Sequence, residues 1–161
     1  MKRLLFILLL SMVMILTPII GSYTRGMSNK IYIPLETSIV LETLTIYNPT
    51  TRQCDDTPLI TASNCKIDTV KLFKQELRWI ALSRNLLKRW NGQFNYGDTV
   101  MVTSGDLQID GFWVIQDILN KRYTNRGDLL FDRRIRTIGK WNNVKISKTS
   151  YQLFTTGLVE N

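Results

Sequence analysis

Apolar positions follow two regimes along this chain. Leu4 to Ile20 is an almost unbroken apolar run, whereas beyond residue 38 apolar residues come in short segments separated by turn-forming residues. The segment SIVLETLTIY alternates and is rich in β-branched residues, which predicts a strand over 39–47 ended by Asn48-Pro49. Further strands are expected at 58–63 (PLITAS), 78–83 (RWIALS), 99–104 (TVMVTS), 112–118, a short DLLF segment and 144–146. Between them, Leu86, Leu87 and Trp90 stand at helical spacing after Ser83, a residue suited to cap a short helix that Asn91-Gly92 would end. Turns are marked by Tyr96-Gly97-Asp98, Gly105-Asp106 and Asp110-Gly111. Short strands with such punctuation and one or two short helices predict a mainly β domain, a small barrel of about 110 residues.

The apolar run follows Lys2 and Arg3 and ends in Gly21-Ser22, the layout of a secretory signal. An uncleaved membrane anchor is the alternative, but a helix over residues 4–20 spans only about 25 Å, short of the roughly 30 Å hydrocarbon core. The expected organisation is therefore a signal or anchor at 1–22, a linker at 23–38, the barrel at 39–149 and a tail at 150–161. An exported chain is expected, in the periplasm, in the cell envelope or secreted, with membrane association through residues 4–20 if the run is kept. Export also bears on Cys54 and Cys65, which lie ten residues apart in a loop-like stretch and are expected to form one local disulfide.

Composition narrows the chemistry. The chain has no histidine, which excludes Ser-His-Asp and Cys-His catalysis and His-bearing metal sites, and two cysteines are too few for a structural zinc cage. No metal or cofactor is expected. Residues 117–148 carry nine basic side chains against Asp117, Asp128 and Asp132. Such a cluster points to an anionic partner. For an exported chain this favours wall glycan or a membrane surface over nucleic acid.

Asp117 ends the apolar segment FWVIQD, and Asp128 opens DLLF on the far side of a basic loop. Desolvation there would raise a carboxyl pKa toward a value useful for general acid catalysis, and paired carboxylates can cleave a glycosidic bond. Two aspartates bracketing a loop are also common as turn residues paired with arginine or backbone N–H groups.

The succession YNPT (47–50), PLITAS (58–63), RWIALS (78–83), YGDTVMV (96–102), G-x-W-V-x-Q-D (111–117) and R-x-D (126–128) resembles the three-aspartate (3D) domain. That family shares a six-stranded double-psi β-barrel with membrane-bound lytic transglycosylase A and rare lipoprotein A. The resemblance covers about residues 39–146 and includes the eleven-residue step from Asp117 to Asp128. It implies a peptidoglycan lytic transglycosylase, working as a monomer. Asp128 would be the acid/base at the MurNAc-GlcNAc bond, and Asp117 would orient or tune it. It further implies that Tyr47, Thr61 and Ser63 line the groove and bind sugar hydroxyls, while Lys121, Arg122 and Arg126 meet peptidoglycan carboxylates. Ser83 stands where the family has its first aspartate, Leu119-Asn120 replace a glycine pair, and Asn64 replaces a glycine. Those departures imply the alternative of a non-catalytic peptidoglycan-binding or envelope interaction module on the same barrel. Trp79, Trp90, Trp113 and Trp141 are either aromatic core or sugar platforms, with Trp90 and Trp141 the more exposed pair expected.

Overall fold

A computed structural model describes residues 30–54, 56–135 and 139–155, so the expected signal or anchor lies outside the described residues. Six strands form one sheet: β1 (Lys30–Tyr47), β2 (Trp79–Leu82), β3 (Thr99–Thr103), β4 (Gly111–Ile118), β5 (Arg126–Leu130) and β6 (Trp141–Thr155). Their spatial order is β1-β5-β2-β4-β3-β6. The β1/β5 and β2/β4 pairs are parallel, and the β2/β5, β3/β4 and β3/β6 pairs are antiparallel. Contacts divide the chain into a unit spanning Pro34–Ser150 and a second unit made of the chain ends. Among the described residues no helix is long and apolar enough to cross a membrane.

Alternation accounts for the core of the Pro34–Ser150 unit. Leu44, Ile80, Leu82, Val100, Val102, Trp113, Ile115, Leu129, Val144 and Ile146 are buried together on one face of the strands. Trp113 satisfies its indole N–H on the Ile109 carbonyl at 2.7 Å, so its full burial leaves no orphaned donor. A smaller cluster of Ile67, Leu72 and Leu130 packs with Tyr47, Leu77 and Trp79. It contains Leu72 from α1 (Thr69–Phe73), a single turn whose first N–H groups donate to Asp68 Oδ1 from Val70 and Lys71. Five residues are too few for a periodic signal, which is why the sequence pattern does not predict this helix.

Several expectations need correction. β1 begins at Lys30, so 30–38 is strand and not linker, and β6 carries the chain through the start of the expected tail. Residues 58–63 form no strand: one isolated bridge joins Ile60 to Lys66, because Thr61 turns the chain by bonding both the N–H and the carbonyl of Cys65. The expected helix after Ser83 is two separate 3₁₀ turns, Arg84–Leu86 and Lys88–Trp90, divided by an extended Leu87. Asn91 then takes a left-handed φ of 66°, and Gly92 presses against the chain so closely that a Cβ would lie 2.1 Å from the Leu86 carbonyl carbon. Cys54 and Cys65 are not joined in a disulfide. Each belongs to its own turn, and the Cys54 thiol donates to the Asn48 carbonyl at 3.6 Å.

Candidate active site on the outer face of the sheet

Asp117 and Asp128 come together through strand register. Thr45 on β1 pairs with Asp128 on β5, Asp128 pairs with Ala81 on β2, and Ala81 pairs with Asp117 on β4. At about 4.8 Å between neighbouring strands, the two aspartate backbones are about 10 Å apart with only Ala81 between them. Leu44, Leu129, Ile80 and Leu82, their neighbours along the strands, are buried in the core, so the row Thr45–Asp128–Ala81–Asp117 lies on the opposite face. Ala81, the residue between the two carboxylates, is buried and contributes only a methyl group.

A bulge is what puts Asp117 in that row. Trp113 and Ile115 face the core, and strict alternation would send Asp117 there too. Instead the register shifts between Ile80 and Ala81, so that Ile80 opposes Ile115 but Ala81 opposes Asp117, leaving Gln116 as the extra residue. Asp117 therefore emerges on the outer face, and Ile118 returns to pack on the core.

The surrounding loops use the bulge as an anchor. Ser63 donates its hydroxyl to Gln116 Oε1 at 2.6 Å and its N–H to the Gln116 carbonyl at 3.2 Å. The Thr61 and Ser63 hydroxyls also bond each other at 2.9 Å. This arrangement presents the Ala62 N–H to Asp117 Oδ1 at 3.0 Å, beside the Ile118 N–H at 2.9 Å. The Tyr47 hydroxyl donates to Asp117 Oδ2 at 3.1 Å. Burial, together with the Asp117 charge and this hydrogen bond, pushes the Tyr47 phenol well above its ordinary value, so it remains a proton donor. Thr61 and Ser63 thus hold the 61–65 turn against β4, and Tyr47 holds Asp117.

Asp128 has a different environment. It is half-buried and accepts a hydrogen bond from the Thr45 hydroxyl at Oδ1. Burial pushes its carboxyl above the ordinary aspartate value and the Asp117 charge adds to this, outweighing the Thr45 hydrogen bond and the Arg126 charge. One aspartate is thereby clamped by three donors, and its neighbour is biased toward the protonated form.

The expected basic residues lie along the chain from this row, Lys121 and Arg122 after the end of β4 and Arg126 at the start of β5. Lys121, Arg122 and Arg126 are exposed, and the guanidinium carbons of Arg122 and Arg126 lie 4.8 Å and 5.3 Å from the Tyr123 ring centroid. Ser83, fully buried, pairs with Arg126 through both backbone and hydroxyl. Other charges of the basic segment are spent elsewhere: Arg134 pairs with Asp132 at 2.7 Å, Lys145 with Glu36 at 3.3 Å and Lys148 with Asp98 at 2.5 Å. The segment is not one cationic face. Among the tryptophans, Trp113 is core, Trp79 joins the smaller cluster, Trp141 bonds Asp106 and Trp90 is half-buried under two arginines. A cavity of about 80 Å³ lined by Leu72, Leu77, Arg78, Trp113 and Phe131 includes neither aspartate in its wall.

Thr45 is a site residue that the motifs do not include, and Gln116 stands in G-x-W-V-x-Q-D without a role that the motif assigns. Thr45 is marked in sequence only by its place in the alternation of β1, and Gln116 only by the odd step it inserts before Asp117. No protein-family model matches the chain, and no curated protein matches it significantly.

Proposed function

We propose that this chain is a double-psi β-barrel exported to act on peptidoglycan, cleaving the MurNAc-GlcNAc bond as a lytic transglycosylase. Closure of the strand order on itself and its two parallel pairs support the barrel. The observation that carries the catalytic reading is the register of both aspartates with Ala81 on one face. Asp128, whose carboxyl burial pushes above its ordinary value, donates its proton to the glycosidic oxygen as the bond to the muramyl C1 breaks. The muramyl C6 hydroxyl then attacks C1 and gives its proton back to Asp128, closing a 1,6-anhydro ring without consuming water. Asp117, fixed by Tyr47, Ala62 and Ile118, supplies negative charge beside the oxocarbenium-like centre. Lys121, Arg122 and Arg126 meet carboxylates of the polymer.

Incubation of the purified protein with glycan strands, followed by mass spectrometry, tests this reading. Anhydro-muramyl products are expected, and their absence from acid to neutral pH refutes cleavage. A second reading, a wall-binding module without turnover, is favoured by the Thr61 and Ser63 hydroxyls, which bond each other and Gln116 rather than standing open to a sugar. Salt-sensitive binding to wall material without products would select it.

A further inference from the structure

A second cationic group stands beside the same face, outside the basic loop. Arg84 and Arg89 both stack on Trp90, with guanidinium carbons 5.5 Å and 5.3 Å from its ring centroid. Neither forms an ion pair among the described residues. Arg84 Nε is buried and has no hydrogen-bond partner among the described residues. The turn that carries Arg84 is stitched to the start of β5: Ser83 and Arg126 bond through their backbones, and Asn85 and Asn125 exchange side-chain hydrogen bonds. Arg84 follows Ala81, Leu82 and Ser83 directly, so its turn begins three residues beyond the member of the row that pairs with both aspartates. The arginine pair is therefore placed at the strand ends beside the aspartate row.

Stacking on an aromatic face holds a guanidinium plane in place while leaving its N–H edge free, and that planar fork matches a carboxylate bidentately. We propose that Arg84 and Arg89, seated on Trp90, form an anion subsite beside the aspartate row that takes a carboxylate carried by the glycan strand. This rests on the peptidoglycan reading above and gives the substrate a second cationic hold, next to the one formed by Lys121, Arg122 and Arg126 where β2 and β4 end and β5 begins. The Arg84–Arg89 pair acts in binding and not in the proton transfers.

The test measures binding of the full chain to soluble glycan strands that keep their stem peptides, to strands stripped of peptides, and to strands whose carboxylates are amidated. Arg84→Ala/Arg89→Ala is expected to raise Kd for the peptide-bearing strands at least about tenfold and to leave the weaker binding of amidated strands unchanged. Arg89→Ala, which alters only an exposed side chain, gives an intermediate loss and serves if the double variant does not fold. Stripping frees the lactyl carboxyl from its amide, so the stripped strands define the selectivity: an arginine-dependent Kd means that the subsite also takes the lactyl carboxylate, and an arginine-independent one restricts it to carboxylates of the stem peptide. Equal Kd for wild type and both variants on peptide-bearing strands, equal weakening on amidated strands, or no binding by wild type overturns the subsite. Anhydro-product formation by wild type is scored separately, so loss of the subsite and loss of the transglycosylase reading are distinct results.

Discussion

Thr45 and Asp128 face each other in register across the parallel β1/β5 pair, and the Thr45 hydroxyl bonds Asp128 Oδ1. That bond favours the charged carboxylate, yet burial wins and the pKa is raised. A carboxyl whose folded pKa lies above its unfolded value stabilises the fold below the unfolded pKa, and that contribution is lost as pH rises through the folded pKa. Asp128→Asn keeps an oxygen for Thr45 and removes the buried charge. It should therefore raise the melting temperature at neutral pH, with no gain in acid, while lowering product formation by about 10²–10⁴-fold, the usual weight of a general acid. Thermal melts at acid and neutral pH, set beside product yields, check both halves. A variant that melts lower at neutral pH would mean that Asp128 is a structural carboxylate.

Asp117 acts on the same titration from two strands away. Burial is the main cause of the raised Asp128 pKa, and the Asp117 charge adds to it. Cleavage needs protonated Asp128 at the first step, so activity falls as pH rises through that pKa. In Asp117→Asn the added charge is gone, and the alkaline limb of the pH–rate profile should move to lower pH, along with a lower maximum. An unmoved limb with reduced rate would limit Asp117 to holding the 61–65 turn.

How much of this was legible in the sequence depends on the element. The alternation of SIVLETLTIY and the turn signals around β3 and β4 mark those strands, because one face of each is buried. The pairing of Asp117 with Asp128 was approachable as a spacing, but their common face was not. It requires the bulge at Gln116, and nothing in FWVIQD separates a bulged strand from a regular one. Residues 58–63 misled because apolar and β-branched residues that read as a strand are used to wrap a turn around Thr61. The arginine clamp on Trp90 escaped because the spacing of Leu86, Leu87 and Trp90 suggests a helix. Two 3₁₀ turns broken at Leu87 present Arg84 and Arg89 to one ring instead.

Ser83 makes a separable prediction. It is fully buried at the end of β2, and its hydroxyl accepts the Arg126 N–H at 3.0 Å. Ser83→Ala leaves that N–H without a partner at the point where β5 begins, a loss of about 1–3 kcal/mol. Urea titration should show a lower midpoint with unchanged slope. Wall binding should become less salt-sensitive as Arg126 loses its fixed position.

Gly127 lies between Arg126 and Asp128, and its requirement is steric. Its hydrogen faces the core where β5 crosses Leu44 and Leu82. A Cβ built there would stand 3.0 Å from Leu44 Cδ1, 3.1 Å from Leu41 Cδ1 and 3.4 Å from Ile80 Cδ1. These are tips of leucine and isoleucine side chains, so Gly127→Ala should fold, but overpacking should cost about 1–3 kcal/mol. If the crowding is the cause, shortening one neighbour should relieve it: Leu41→Ala alone opens a cavity and destabilises by about 2–5 kcal/mol, whereas the double variant should lose less than the two single losses combined. Denaturant midpoints for the four proteins measure that coupling. Additive losses would mean that Gly127 is needed for its backbone and not for the space it leaves to Leu41. Because Asp128 is the next residue, coupling should also appear as partial recovery of product formation in the double variant.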